Sequence, residues 1–416
     1  MSEEPGAGKG ARVAADLAAA LRWWPGSDKF RLLAGIMLAL FAAYGGAYLA
    51  VGAARGWPGG FGDSFALWSW GRFVGEHAAA AIYDPVALRS AQLALGMDPG
   101  ASYPFAYPPS FLLLLWPLGQ LPGAVACAAL VLVSLPLYLW ATLGRHWGSP
   151  ALLAALAAPT TAIAIVSGQT GFLAAALLAG GLRLAAPNPV AGGVLLGLLT
   201  YKPQLGLLVP VALVAARLWR TLAVAGLTAI LLVLLTSILF GAAVWPGWAA
   251  ALPGFSHQFA AENSEIVHLM PTVLAALLQQ GVAPGAAQLA QWVTAAVAAA
   301  TVWTLFRSGP RQLAGAGLLV AALLATPYAF VYDMPIVATA VIWFVAERHR
   351  AEDALGTGEV VILMLAMLAP ITLAAVGPRF PLATISLILL LGAIVRRCRR
   401  LRLATTRPGP LVTVRG

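Results

Sequence analysis

Apolar residues run along this chain in blocks rather than in alternation. Runs of roughly 17–25 residues, the length a helix needs to cross a bilayer, recur between short polar breaks. The first is Leu32–Val51. A polar stretch over 53–107 follows. Apolar character then returns at Tyr107-Pro108-Pro109 and lasts to Leu143, broken by Pro117 and Pro122. Further runs lie near 150–166, 171–184, 189–201, 204–216 and 221–240. A second polar loop covers 241–285, and the runs resume at 286–306, 312–327, 330–346, 359–376 and 381–395. A membrane β-barrel would instead show segments of roughly 10 residues with alternating polarity. The pattern predicts an all-α polytopic membrane protein with about 12 transmembrane helices. Within the first loop, Ser64–Ala81 and Val86–Leu95 read as short amphipathic helices. There Phe65, Leu67, Trp68, Trp70 and Phe73 suit the membrane interface, where aromatic rings settle.

Composition agrees with the pattern. Of 416 residues, 61% are hydrophobic and 10% charged, against about 25% charged in soluble domains. So few charges cannot cover a surface that faces water. The net charge of +10 does not point to nucleic acid, because the basic residues cluster at the ends of apolar runs, where they set orientation. Residues 1–30 are not a cleavable signal peptide, since the run after them exceeds an h-region of roughly 7–15 residues. Lys9, Arg12, Arg22, Lys29 and Arg31 place the N-terminus in the cytoplasm. The tail with Arg396, Arg397, Arg399, Arg400, Arg402 and Arg407 belongs there too. The chain thus divides into a cytoplasmic segment 1–30, an integral membrane domain 31–395 and a basic cytoplasmic tail 396–416.

Placing Arg217/Arg220, Arg307/Arg311 and Arg348/Arg350 inside sends loops 53–107 and 241–285, the turn Thr326–Asp333 and the segment Gly377–Pro381 outside. Two readings of 108–216 stand side by side. With Arg145 and Arg183 inside, 108–121 is re-entrant and Gln169 and Lys202 lie near the outer face. Otherwise 108–121 crosses, 190–216 is one kinked helix, and Lys202 is mid-membrane. The first obeys the charge rule throughout. Cys127 and Cys398 have no metal-like spacing and read as chemically idle.

Ionisable groups at membrane depth are costly unless paired or functional, which keeps the candidates few. Asp63 stands in Gly60-Phe61-Gly62-Asp63-Ser64, soon after the first helix. It is either a base or ligand for a substrate hydroxyl, or an N-cap for the helix that follows. Asp84, in Tyr83-Asp84-Pro85, reads as the start of a turn or helix. The stretch Tyr103–Pro109 is a stiff, proline-rich re-entry into the membrane. Its tyrosines either line a sugar or lipid groove or anchor at the interface. Gln169, in Gly168-Gln169-Thr170-Gly171, needs hydrogen-bond partners, from helix packing or from substrate. Lys202, in Thr200-Tyr201-Lys202-Pro203-Gln204, has apolar sequence on both sides. It holds a phosphate as a point charge or snorkels to an interface. Asp333, beside Tyr332, pairs with Lys202 or Arg379, or touches substrate. The second loop carries His257, Gln258, Glu262, Asn263, Glu265 and His268. Lacking a His-Glu-x-x-His spacing, these read as a polar cap over a site, not a metal centre.

The order of these pieces resembles glycosyltransferase family 87, whose members include polyprenyl-phosphate-mannose-dependent mannosyltransferases. The matching pieces are Gly62-Asp63 after a first helix, Ile82-Tyr83 closing an amphipathic stretch, and Tyr107-Pro108-Pro109 with Trp116-Pro117-Leu118 and Leu121-Pro122. Gly168-Gln169, then Ala191-Gly192 leading to Tyr201-Lys202-Pro203-Gln204, complete them. They span residues 30–345. The resemblance implies a GT-C-type helical bundle in the cytoplasmic (inner) membrane, with its active site facing the periplasm or outside. It implies that an acidic residue of the first outer loop, here Asp63, is the catalytic base. The implied reaction is an inverting transfer of mannose, or another hexose or pentose, from a polyprenyl-phosphate donor to a lipid or glycan acceptor. Lys202 is the candidate for the leaving phosphate and Arg379 a second. Gln169, Tyr83, Tyr107, Tyr332, Asp333 and His268 complete the substrate-binding candidates. No cofactor, metal, nucleotide sugar or nucleic-acid partner is expected. Mannosyltransferase members carry histidines after a Ser-Pro in the late outer turn, where this chain reads Thr326-Pro327-Tyr328-Ala329-Phe330-Val331-Tyr332-Asp333, so the sugar stays open.

Two other classes compete. A transporter or flippase of a lipid-linked or small polar substrate would place its charges in broken helices at the midplane. A polysaccharide polymerase or ligase would use a large late outer loop with arginines, which 241–285 lacks.

Overall fold

A computed structural model describes residues 28–54, 63–144, 150–261, 267–351, 353, 355–376 and 380–406. Among them all regular structure is helical, with no strand. Helix α1 (Asp28–Ala54) covers the predicted first span and extends it at both ends. The first loop holds α2 (Asp63–Glu76), a 3-10 turn (Ala79–Tyr83) and α3 (Pro85–Ala94), close to the two amphipathic helices expected. Asp84 caps α3, accepting from the Val86 and Ala87 backbone N–H groups at 2.9 and 3.3 Å. Pro85 follows at N1, where its missing N–H costs nothing. Asp84 therefore has the structural role that its sequence context suggested.

The extended segment after α3 leads into α4 (Leu112–Gly119) and α5 (Gly123–Leu143). With eight residues, α4 is about 12 Å long and too short to cross alone. It lies along α2 instead, backbone against backbone: a Cβ on Gly71 would meet the Leu115 carbonyl oxygen at 1.9 Å, and one on Gly119 would meet Gly71 at 2.1 Å.

Next come α6 (Pro150–Ala157) and α7 (Pro159–Ser167), bent by 50° at their junction. The bend falls where Pro159 cannot donate to the helix before it. Helix α8 (Gly171–Leu184) is followed by α9 (Pro189–Leu198), the short α10 (Pro203–Gly206) and α11 (Val209–Ala215). Helix α12 (Trp219–Phe240) follows. Its Leu227, Ile230, Leu234 and Ile238 are all more than half exposed, a surface fit only for lipid.

The region expected as a polar loop, 241–285, is largely helical: α13 (Val244–Ala261) and α14 (Val273–Gln279). Glycine, proline and polar residues lowered its hydropathy without preventing helix formation. Helix α13 lies on the first loop, where Trp248 Nε1 donates to the Ala106 carbonyl at 3.4 Å.

The chain closes with α15 (Pro284–Ser308), α16 (Arg311–Ala325), α17 (Pro335–Arg350), α18 (Thr357–Val376) and α19 (Leu382–Thr406). Among the described residues, helices α5, α12 and α15 are long and apolar enough to cross a membrane, and the count reaches four if the bent α6–α7 pair forms one span. Several other apolar helices are shorter. Helix α16 is buried from Leu313 to Ala325 and forms the centre of the bundle, packed by α15, α17 and α19. Its Ala and Gly side chains are small enough for that position.

The C-terminal ends of α17 and α19 carry an ion-pair network. Arg397 binds both Glu347 oxygens at 3.1 and 3.2 Å and Asp353 at 2.5 Å. Arg348 joins Asp353 at 2.5 Å to Glu359 at 2.9 Å. Three of the arginines read as orientation signals (Arg348, Arg396 and Arg397) therefore also tie α17, α18 and α19 together. This end of the bundle is the arginine end.

Candidate active site

Lys202 sits at a chain reversal. Helix α9 and a 3-10 turn (Leu199–Tyr201) bring the chain away from the arginine end, and α10–α11 return it. Pro203 starts α10 at N1 and enforces the break. At the apex the Lys202 ammonium is buried, 1% exposed, and donates to Asp333 Oδ1 at 2.6 Å. Asp333 is fully buried and its second oxygen accepts from the Phe330 backbone N–H at 3.2 Å. The two charges are 131 residues apart in sequence. Burying either alone would be very costly, and pairing offsets that cost. Of the partners open to Asp333 from sequence, Lys202 is the one it takes. Lys202 also lies 4.8 Å from the centroid of the Tyr332 ring, a cation–π contact.

Asp63 opens α2 in its first turn and belongs to the same cluster. The Gln169 side chain lies beside its carboxylate, and the Lys202 charge acts on it through space. The Gln169 side-chain oxygen accepts from the Thr170 backbone N–H at 3.3 Å. Burial raises the Asp63 pKa from 3.8, while Lys202 and Gln169 pull it back, leaving it at about 6. Such a carboxylate is mostly ionised at neutral pH, yet far more basic than an exposed one.

Two glycines bring these segments together. Gly168 has φ +60°, and a Cβ there would lie 2.6 Å from Cβ of Ser64, the neighbour of Asp63. A Cβ on Gly171 would lie 1.7 Å from the carbonyl oxygen of Tyr332, the neighbour of Asp333. The Gly168-Gln169-Thr170-Gly171 turn thus accepts α2 on one side and the Asp333 turn on the other, because neither glycine has a side chain in the way.

Aromatic rings connect the first loop to Lys202. Tyr83 packs on Phe105 at 5.4 Å, Tyr107 on Phe111 at 4.7 Å, and Phe111 stacks on Tyr201 at 4.8 Å. Tyr83 Oη donates to the Tyr107 carbonyl at 2.9 Å, and burial raises the Tyr83 pKa. The Tyr107 and Tyr332 side chains lie beside each other. Sequence reasoning left out Tyr201 and Thr170 as site residues. Tyr201 Oη donates to the Thr170 carbonyl at 3.3 Å, and both stand inside motifs already singled out. Their adjacency to Lys202 and Gln169 was the available signal.

His268 lies on the segment that leads to α14. Its neighbour Leu269 accepts from the Val331 backbone N–H at 2.8 Å, so the segment is held against the Asp333 turn. His268 Nδ1 and Thr170 Oγ1 are buried with no hydrogen-bond partner among the described residues, a state that a bound polar ligand relieves. Arg379, the side chains of His257 and Gln258, and Glu262, Asn263 and Glu265 lie outside the described residues. Among the described residues no three His, Cys, Asp or Glu side chains converge as metal ligands.

The family model for glycosyltransferase family 87 matches residues 105–332, more than half of the chain. That range takes in the Tyr107 re-entry, Gln169, Lys202 and Tyr332. No curated protein and no solved structure matches the chain.

Proposed function

The chain belongs to glycosyltransferase family 87, and from that premise we propose that it moves a sugar from a polyprenyl-phosphate donor to a lipid or glycan acceptor, with Asp63 as general base. Asp63 takes the proton of an acceptor hydroxyl. The hydroxyl oxygen attacks the anomeric carbon from the face opposite the phosphate. The bond from that carbon to the phosphate oxygen breaks, polyprenyl phosphate leaves with the electron pair, and the configuration inverts. The observation that carries this reading is convergence. In a chain with very few charges, Asp63, Gln169, Lys202 and Asp333 come from four separate segments into one cluster.

Because Asp333 holds Lys202 directly, the lysine acts on the leaving phosphate as a fixed positive field. His268, and Arg379 in the sequence, are the further candidates to meet the phosphate. Tyr83, Tyr107, Tyr332 and Gln169 serve sugar and lipid contacts. Depth supports a lipid-borne donor. Helix α8 runs from the cluster to the arginine end in 14 residues, about 21 Å, whereas the hydrocarbon layer is about 30 Å thick. With the arginine end at the cytoplasmic face, the cluster lies about 10 Å below the outer face of the hydrocarbon layer. We read the whole as a GT-C-type bundle of about 12 crossings in the cytoplasmic membrane, with both termini inside and the site opening outward.

Purified protein assayed with labelled polyprenyl-phosphate sugars and a membrane-extract acceptor tests the reading. Asp63→Asn should abolish transfer at unchanged expression, and full activity in that variant would refute the mechanism. The transporter or flippase reading draws on the break at Lys202. It requires substrate movement across sealed vesicles without new glycosidic bonds.

A further inference from the structure

A well-formed cavity lies at the other end of the molecule. It has a volume of about 910 Å³ and opens among the ends of α5, α8, α11, α16 and α17. Its chemistry is divided. Leu182, Phe306, Ile342 and Met367 line an apolar part, while Arg183, Arg311, Gln312, His349 and Arg350 stand on its polar side. The three arginines are exposed at the mouth. Arg183 and Arg350 lie close enough for their charges to repel. Among the described residues no carboxylate forms a salt bridge with Arg183, Arg311 or Arg350, in contrast with Arg348 and Arg397 nearby. Arg183 is instead held by the Ala141 carbonyl at 3.1 Å, and Arg350 by the Gln312 side-chain oxygen.

Like charges gathered around a cavity repel one another unless an anion joins them. Helix α16 begins at this cavity with Arg311 and Gln312, so its first backbone N–H groups and positive dipole end add to the field. Guanidinium groups match phosphate oxygens in geometry as well as charge. The apolar walls suit a hydrocarbon chain, and the volume suits a headgroup with part of its tail. We propose that this cavity is a second lipid site, separate from the Asp63 cluster, which binds a phospholipid of net negative headgroup charge: the phosphate between Arg183, Arg311 and Arg350, and the chain along Leu182, Phe306 and Ile342. Basic pockets between helices on the cytoplasmic side are suited to such lipids. The proposal does not depend on the transfer reaction proposed above.

The test is native mass spectrometry of the purified, delipidated full chain titrated with short-chain phosphatidylglycerol, phosphatidylcholine of the same chain length, and inorganic phosphate. The cavity should retain phosphatidylglycerol about tenfold better than phosphatidylcholine, because the choline cation of the latter meets the same three arginines that hold its phosphate. Arg311→Gln with Arg350→Gln should remove that preference. These two positions are chosen because Arg183 also closes the end of α5. Ala346→Trp, which fills the cavity and leaves every charge in place, should weaken retention as well. Size-exclusion elution and transfer activity serve as controls for folding. Equal retention of the two lipids, or a preference that survives both sets of substitutions, would overturn the proposal. So would displacement of the lipid by an equimolar amount of inorganic phosphate, since the site would then recognise the free anion.

Discussion

The Lys202–Asp333 pair offers the sharpest test of how the candidate site is held. Replacing Lys202 with Met leaves the Asp333 carboxylate buried at 0% exposure without its 2.6 Å partner. Replacing Asp333 with Asn leaves a buried ammonium. Each single change should cost about 3–5 kcal/mol, the usual loss when one member of a buried pair is removed. The double variant Lys202→Met/Asp333→Asn should behave differently. The Asn carbonyl oxygen can still accept from the Phe330 backbone N–H, which Asp333 Oδ2 now does. Methionine fills the volume of the lysine stem, and no charge remains to be desolvated. The double variant should therefore lie within about 1–2 kcal/mol of the parent, far from the sum of the singles. Denaturant unfolding in detergent, followed by tryptophan fluorescence, supplies the four corners of the cycle. The same double variant reports on Asp63. The lysine charge holds the Asp63 pKa down, so removing it should move the acid limb of the transfer rate above about pH 6. Lys202 is thus a positioning residue with a pH signature that a purely structural residue would lack. A coupling energy near zero, or an acid limb that stays in place while activity falls, would refute this account.

Four further outcomes follow from the structure. Transfer should fall below about pH 6 and be about tenfold down near pH 5, as the raised Asp63 carboxyl takes up its proton. Because the folded pKa lies above the unfolded 3.8, this group favours the fold fully below about pH 4 and loses that contribution as pH rises through about 6. Asp63→Asn should accordingly be inactive yet up to about 3 kcal/mol more stable at neutral pH, and equal stability at all pH values would contradict the shift. Gly171→Ala should lower activity although it removes no functional group, because its Cβ would sit 1.7 Å from the Tyr332 carbonyl oxygen and push the Asp333 turn away; kinetics like the parent's would show that the contact does not matter. Arg397→Gln breaks the contacts with Glu347 and Asp353 and should cost about 1–3 kcal/mol, with the transfer rate per folded molecule unchanged.

Much of the architecture can be read along the chain, because the bilayer imposes it residue by residue. Long runs without charge must become helices, since nothing else satisfies the backbone in hydrocarbon. Prolines at Pro85, Pro159, Pro189, Pro203 and Pro335 mark helix starts by local chemistry alone. Charges within apolar sequence identified Lys202 and Asp333, because membrane depth makes such residues conspicuous. The 241–285 region shows the limit of that approach: hydropathy measured its polarity, but helix formation in α13 depended on packing against the first loop.

Sequence by itself determined that this chain is a helical membrane protein, where its helices begin, and which few polar groups had to find partners. Family motifs added the reaction class. Only the tertiary structure decided who those partners are. Asp333 pairs with Lys202, Gln169 comes beside Asp63, and two glycines let the three segments meet. It also separated arginines that brace α17 to α19 from arginines left around an open cavity. The reason is physical. Burial, helix capping and span length act over a few residues, so sequence carries them directly. An ion pair between residues 131 positions apart depends on how close two backbones come, and in a bundle that distance is set by side-chain volume at every intervening contact.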